Sequence, residues 1–375
     1  MRKVKISEFA EVITGGTPST SVPEYWDNGT IPWLQSGACQ NCIITGCNTF
    51  ITQAGLDNSA AKLMKPDSVL IALTGATTGK VGYLTFEACA NQSVTGIQPN
   101  EQFVPKYLYY YLLGIRQKIL DDSYGGAQKH ISQGYVKNLE IPLGTIEEQR
   151  SIVEKLEHIT QIISFRQQEL QKIDALIKAR FVEMFGDMLI NPKGLPEQRL
   201  DSLADIVSGI TKGRKIKTDE LYEVPYMAVS NVKDGYIDWS TVKTIMATGG
   251  EIDQYRLMPG DVLMTEGGDP DKLGRGAIIH EPPKDCIHQN HIFRVRLKHN
   301  ILLSIFMAQY LQQQKAKRYF LRCAKQTTGI ASINMKQLSA LPVLVPPMKE
   351  QKEYASFVAQ VDKSKVAVQN VLDEA

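Results

Sequence analysis

Four cysteines near the N-terminus are the residues best spaced for chemistry. Cys39-x-x-Cys42, with Cys47 and Cys89 further on, contains one zinc-knuckle pair, and four thiolates could hold a tetrahedral zinc. Cys42 to Cys47 is not a second knuckle, and Cys89 is remote. The group therefore reads as reduced, partly buried thiols, with zinc as the alternative. His288-x-x-His291 reads as a polar or structural pair rather than a metal site. Gly75-Ala76-Thr77-Thr78-Gly79-Lys80 resembles a phosphate loop, but its glycine spacing is one short and Val81 stands where Ser or Thr is required. It reads as a turn that leaves Lys80 available to a phosphate. Pro66-Asp67 and Gly260-Asp261 lack the following Glu-x-Lys of a nuclease metal site. Asn191-Pro192-Lys193-Gly194 is not the Asn/Asp-Pro-Pro-Tyr/Phe motif with which amino-methyltransferases hold an amine. No catalytic or metal-ligating set is complete, so a self-contained enzyme is disfavoured.

Binding chemistry is better represented. The formal net charge is only +2, from 42 Lys and Arg against 40 Asp and Glu. The charge is unevenly spread, however. Cys286 to Lys349 contains no acid, yet holds Arg294, Arg296, Lys298, Lys315, Lys317, Arg318, Arg322, Lys325, Lys336 and Lys349. A second cluster runs Lys212-Gly213-Arg214-Lys215-Ile216-Lys217. Such clustering is the footprint of a polyanion partner; the alternative is that the balancing acids lie elsewhere in the fold. Sequence readout of DNA needs amides and guanidinium groups, and phosphate contact needs Lys, Arg, Ser and Thr. The candidates are Thr17, Ser36, Lys80, Gln92, Gln128 and Lys129 in the first half, and Lys212, Arg214, Lys215, Asn231, Arg275, Gln289, Asn290 and Lys325 in the second.

The elements that must position these residues come in two copies. Lys5-Ile6-Ser7-Glu8-Phe9-Ala10-Glu11-Val12-Ile13-Thr14-Gly15 reads like Arg199-Leu200-Asp201-Ser202-Leu203-Ala204-Asp205-Ile206-Val207-Ser208-Gly209. Ile31-Pro32-Trp33-Leu34 pairs with Val224-Pro225-Tyr226-Met227, and Lys65 to Leu70 with Met258 to Leu263. Gly79-Lys80 pairs with Gly274-Arg275, Asn91-Gln92-Ser93 with His288-Gln289-Asn290, and Ile131-Ser132 with Ile333-Asn334. Blocks in constant order imply two copies of one fold. Each copy is expected to open with a short amphipathic helix, Ile6 to Ile13 or Leu200 to Val207. Short Gly- and Pro-bounded strands follow, then a helical segment, Pro105 to Asp121 or Ile301 to Ala324. The chain, 375 residues and 43% hydrophobic, suits two domains.

A long helix is expected after each copy. Glu147 to Phe185 contains no Gly or Pro. Its apolar seam is Ile152, Leu156, Ile159, Ile163, Leu170, Ile173, Ile177 and Met184. It would be roughly 58 Å long at 1.5 Å per residue. The second helix, Lys349 to Ala375, carries Phe357, Val361, Val368 and Val371 and would span roughly 40 Å. Antiparallel pairing would bury both stripes and hold the two units apart; packing of each helix on its own domain is the alternative.

The junctions are the most specific feature. Gly125 to Ser132, Leu139-Glu140-Ile141-Pro142-Leu143 and Ile146-Glu147-Glu148-Gln149 recur as Thr327 to Asn334, Leu341 to Pro347 and Lys349-Glu350-Gln351. Met184-Phe185-Gly186-Asp187 marks the exit of the central helix. On these residues the whole chain resembles the specificity subunits of type I restriction–modification systems. The resemblance implies an α+β fold of two similar target recognition domains held apart by two long antiparallel coiled-coil helices. The expected boundaries are 1–145 for the first recognition domain, 146–186 for the central spacer helix, 187–197 for a linker, 198–345 for the second domain and 346–375 for the C-terminal spacer helix. It implies that each domain reads one half of a bipartite, non-palindromic duplex DNA target. The helices would set the spacer and dock two methyltransferase subunits, through which restriction subunits join. The subunit itself would do no chemistry; S-adenosylmethionine, ATP and Mg would serve its partners. One departure is the C-terminal helix, shorter than the central one by about a dozen residues, which points to partial pairing or a short version. A DNA-binding scaffold of another defence system, or a short subunit acting as a dimer, is the alternative. With no secretory leader and no run of ~20 apolar residues, a cytoplasmic location with no membrane contact is expected.

Overall fold

The computed structural model describes residues 2–126, 128–215, 220–268, 273–298, 300–327 and 330–373. Ile216 and Lys217 of the basic cluster, and Ala127, Thr328 and Gly329 of the junctions, lie outside the described residues. The chain divides into two compact units, Met1–Ser164 and Phe165–Ala375.

In the first unit, Arg2–Lys5 pairs antiparallel with Glu140–Leu143, so the strand that enters the domain lies against the one that leaves it. The opening helix is a single turn, Ile6–Phe9, rather than a helix to Ile13. Ala10 is extended, and the β-branched run Val12–Thr14 pairs with Val94–Ile97 instead. β-branched side chains favour a pleated, half-buried surface, and tertiary pairing overrides the amphipathic pattern here. A five-stranded sheet runs in the order Val12–Thr14, Val94–Ile97, Val69–Ala72, Val81–Leu84, Cys42–Ile44. A smaller sheet has Ile31–Leu34 between Phe50–Ile51 and Cys89–Ala90. The helical segment breaks in two, Pro105–Gly114 and Arg116–Asp121. One core cluster gathers Ile6, Val69, Ile71, Leu108, Leu112, Ile119 and Ile141, all at most 1% exposed.

The second unit repeats this plan. Glu197–Arg199 pairs with Pro342–Leu344, and a one-turn helix, Leu200–Leu203, leads into the strand Ala204–Ser208. The main sheet is Ala204–Ser208, Ile292–Leu297, Val262–Thr265, Gly276–Ile278; the smaller one has Tyr222–Met227 between Lys243–Ala247 and Ile287–His288. The helical segment is again split, into Ser304–Leu311 and Gln314–Cys323. A short sheet of Gly267–Gly268, Ile330–Ser332 and Lys325–Thr327 is added.

Backbone hydrogen bonds test the repeat residue by residue. Gly15 and Gly209 occupy one position: a Cβ on either would lie 2.0 Å from the carbonyl oxygen of Ala90 or His288, respectively. Glycine is required at both for this close backbone approach. Ala90 therefore matches His288. The amide of Asn91 donates to Leu34 O and that of Gln289 to Met227 O. Asn91-Gln92-Ser93 thus corresponds to Gln289-Asn290-His291, one residue beyond the block chosen from sequence. That register displaces the second histidine to the position of Ser93.

The junction signatures have a physical content. Gln149 and Gln351 are both 0% exposed near the start of the spacer helices. Gln149 accepts from Val104 N at 2.8 Å and donates to Gly144 O at 3.0 Å. Gln351 accepts from Leu303 N at 2.9 Å and donates to Ile301 O and Pro346 O at 3.0 and 2.8 Å. Each glutamine ties a spacer helix to the main chain just before a domain helix. Ser132 and Asn334 cap equivalent short helices, accepting from Tyr135 N and Gln337 N.

The central helix spans Ile146–Phe185 and the C-terminal one Met348–Asp373. Within the second unit they run antiparallel. Lys365 Nζ lies 2.7 Å from Asp174 Oδ1, the Arg180 guanidinium sits 5.6 Å from the centre of the Phe357 ring, and Phe181 meets Tyr354 at 5.5 Å. Of the seam residues in this unit, Ile177, Met184 and Phe357 pack against the main core, and Val368 is buried. Leu170, Ile173 and Val361 are half-buried, as are Ile152, Leu156 and Ile163 in the first unit. Ile159 and Val371 depart from the expectation, each 44% exposed. The largest fully buried side chains of these two helices are instead Phe181, Phe185 and Tyr354, which pack with Phe306 at ring distances of 5.0–5.6 Å for the pairs they form. Here the central helix is covered by a domain helix as well as by the C-terminal helix, so its buried face is wider than a two-helix seam.

Candidate nucleic-acid interface

Strand register decides which candidate residues share a surface. In the first unit Thr14, Thr95, Ile71 and Val81 form one cross-sheet row. The chain segments beyond that row carry Thr17, Gln92 and Lys80, at one end of the sheet. Thr17 Oγ1 donates to Gln92 Oε1 at 2.5 Å, and Lys80 Nζ donates to Gln40 Oε1 at 2.5 Å. Lys80 follows Gly79, whose φ of +72° makes the turn. Ser36 opens the 3-10 turn Ser36–Ala38 after the strand Ile31–Leu34, whose end lies beside Asn91. The carbonyl of Lys129 accepts from Gly75 N and Thr78 Oγ1, which brings the exposed Gln128 and Lys129 to the same end. All six first-unit candidates converge.

The second unit has the same arrangement. Ser208, Phe293, Met264 and Gly276 form the row. Beyond it lie Lys212, Gln289, Asn290 and Arg275, and Ile210 bridges Gln289 directly. The strand Lys325–Thr327 joins this end through Ser332 and Gly267, leaving Lys325 exposed. Lys212 and Lys215 are exposed too. Gln289 Oε1 accepts from Val229 N at 3.3 Å, and Asn290 Nδ2 lies 3.5 Å from His291 Nε2.

Two candidates are committed elsewhere. Asn231 is 0% exposed; its amide donates to Asp238 O and Thr241 Oγ1 and accepts from Ala228 N. It holds a turn together, because a buried amide must spend its hydrogen bonds inside. Arg214 makes a two-pronged pair with Glu251, Nε to Oε1 at 2.5 Å and NH2 to Oε2 at 2.6 Å. That bond holds the Glu251 carboxyl down at about 2. Glu251 also caps its own helix through Thr248 N, so Arg214 braces the fold as well as carrying charge.

The acid-free stretch is likewise divided. Arg294, 4% exposed, donates to Asp205 at 3.0 Å, and Arg296 binds both oxygens of the buried Asp261 at 2.8 Å. Lys315 pairs with Glu197 at 2.6 Å. For these the balancing acids do lie elsewhere in the fold. Arg318, Arg322, Lys325, Lys336 and Lys349 are exposed.

The cysteines and histidines separate by burial. Cys39 is buried among Ile44, Leu84 and Leu34, and desolvation pushes its thiol up to about 12, while Cys42 is exposed. His288 is buried between Tyr255 O and Val207 O, at 3.1 and 3.4 Å; burial pushes its pKa down to about 4 and keeps it neutral. His291 is exposed and binds Glu266 Oε2 through Nδ1 at 2.6 Å. Nothing in the sequence marks Glu266, because a lone acid in a glycine-containing loop carries no signal. Among the described residues no His, Cys, Asp and Glu group is arranged to hold a metal, and no helix is long and apolar enough to cross a membrane.

Comparison with known proteins adds an independent line. The family model described as type I restriction modification DNA specificity domain matches residues 1–175 and again 192–374. The chain is 21% identical over 360 residues to the type I restriction enzyme EcoKI specificity subunit of Escherichia coli K12, covering 90% of this chain and 76% of that protein. A chain from a solved structure on assembly and conformational transition of a type I R-M system aligns with a TM-score of 0.62 at 18% identity, covering 100% of this chain and 93% of that one. The crystal structure of the S subunit of a type I restriction-modification system from M. genitalium aligns with a TM-score of 0.53 at 15% identity, covering 100% and 92%.

Proposed function

Because the chain belongs to the type I restriction–modification DNA specificity family, we propose that it is the non-catalytic subunit that selects the DNA sequence for such a system. The observation that carries this reading is the duplicated sheet end. Two copies of one plan, matched by the close approach at Gly15 and Gly209 and by the backbone bonds of Asn91 and Gln289, present different side chains at corresponding positions: Gln92 and Lys80 in one, Asn290 and Arg275 in the other. Similar scaffolds with different residues at matching positions suit a target of two unlike half-sites. In this reading each unit reads one half of a bipartite duplex target. The spacer helices set the unread interval and dock two methyltransferase subunits, which in turn recruit restriction subunits. S-adenosylmethionine, ATP and Mg act in those partners, on DNA in the cytoplasm.

The test is co-purification with a methyltransferase subunit of its own system, followed by sequencing of methylated adenines in cells that express the pair. A split, asymmetric motif that appears only when this chain is present is the expected outcome. Methylation with an unsplit motif, or independent of this chain, would refute the reading.

A further inference from the structure

The matching ends of the two units differ in chemical character at one pair of positions. Leu73 N donates to Ser93 O at 2.8 Å and Leu73 O accepts from Ile131 N at 2.9 Å. In the second unit Glu266 N donates to His291 O at 2.9 Å and Glu266 O accepts from Ile333 N at 2.9 Å. Glu266 therefore stands where the first unit has Leu73, and His291 where it has Ser93. Leu73 is 5% exposed. The Glu266 side chain is 33% exposed and that of His291 57%, joined by the 2.6 Å bond from Nδ1 to Oε2. Among the described residues Oε1 of Glu266 has no hydrogen-bond partner.

A carboxylate is out of place on a surface that meets phosphates. Lys212 and Lys325 are exposed at the same end, as expected for phosphate contact, but Glu266 would be repelled by the duplex unless it gained a donor. In the major groove the donors are the amino groups of cytosine and adenine. Adenine presents its amino group beside the N7 acceptor, a combination matched by an amide side chain. A carboxylate only accepts, which matches cytosine N4. The bond from His291 Nδ1 to Oε2 fixes the orientation of the carboxylate.

We propose that Glu266, positioned by His291, reads a cytosine in the second half-site by accepting a hydrogen bond from its exocyclic amino group. This rests on the functional reading above. It assigns base discrimination to a residue whose counterpart in the first unit is a buried leucine.

The experiment uses the full chain in complex with its methyltransferase subunit and a duplex library randomised across both half-sites, with bound sequences read out. The wild-type complex is expected to require cytosine at one position of the second half-site. Glu266→Leu should reduce that preference by about 5- to 150-fold, with every other position and the whole first half-site unchanged. Glu266→Gln, nearly isosteric and able to donate as well as accept, should shift the preference toward adenine. His291→Ala should weaken the same preference, and His291→Asn, which can still donate to the carboxylate, should restore part of it. An unchanged second half-site in Glu266→Leu and Glu266→Gln would overturn the proposal. So would uniform weakening across all sequences, or relaxation at a position that is not cytosine. A wild-type complex with no preference in either half would instead refute the functional reading itself, and the assignment with it.

Discussion

Replacing Gln351 with leucine tests whether the spacer helix is locked to the second recognition unit by hydrogen bonds rather than by apolar packing. Leucine nearly conserves volume, so the cavity contribution is small. Three bonds are lost, to Leu303 N, Ile301 O and Pro346 O at 2.9, 3.0 and 2.8 Å, at a side chain 0% exposed. Each net bond is worth about 1 kcal/mol, and a buried amide left unpaired costs about 1–3 kcal/mol more, carbonyls rather less. The expected loss is therefore about 3–5 kcal/mol, a large part of the ~5–15 kcal/mol that holds a domain together. A chain with two units need not unfold in one step, so hydrogen exchange resolved by segment is the suitable assay. Segments 301–311 and 346–358 should exchange faster by a factor of about 150 or more, since each 1.4 kcal/mol is about tenfold. Gln149→Leu loses two bonds, to Val104 N and Gly144 O, and should show a smaller change confined to the first unit. A shift below about 1 kcal/mol for Gln351→Leu would refute the locking argument.

Other expectations follow from the same geometry. Gly15→Ala and Gly209→Ala place a Cβ 2.0 Å from a carbonyl oxygen, so each should destabilise its own unit by about 3 kcal/mol, measured as a fall in urea midpoint; a neutral result would mean that the strand ends can separate freely. Lys212→Ala and Lys325→Ala should each lower the slope of log affinity against log salt by about 1. Arg214→Ala, by contrast, should cost about 1–2 kcal/mol of local stability, after screening, through loss of its pair with Glu251. Hydrogen exchange near Thr248 compared with salt titration of DNA binding separates the two effects. His288 is neutral when folded, with its pKa depressed from 6.5 to about 4. The unfolded chain thus binds the extra proton between those values, and stability should fall by roughly 3 kcal/mol as pH drops from 6.5 to 4. In His288→Gln the stability of the second unit should depend less on pH over that window; an unaltered profile would remove His288 as the cause.

Much of the architecture was legible because repetition is a sequence-level property. Both junctions, both Gly-bounded turns and both spacer helices were visible as ordered blocks, since each depends on local chemistry: a left-handed turn at Gly79 and Gly274, a capping residue at Ser132 and Asn334, an unbroken Gly- and Pro-free helix. The opening helices were read too long, because Val12-Ile13-Thr14 and Asp205-Ile206-Val207-Ser208 satisfy a helical stripe as well as a strand, and only a partner strand decides between them. Asn231 looked like a reader of bases because an amide on a loop carries the same donors whether it faces solvent or a turn.

Sequence alone therefore determined that there are two units of one kind, each followed by a long helix, with cations and amides available in both. It could not determine which cations are spent. Arg294, Arg296 and Lys315 meet Asp205, Asp261 and Glu197 from distant parts of the chain, and charge that is neutralised by folding cannot be subtracted by reading along one dimension. Nor could it place Glu266 beside His291, 25 residues apart, because that meeting depends on the antiparallel register of Val262–Thr265 with Ile292–Leu297. Local preference is written residue by residue, but register and ion pairing exist only after distant strands have met.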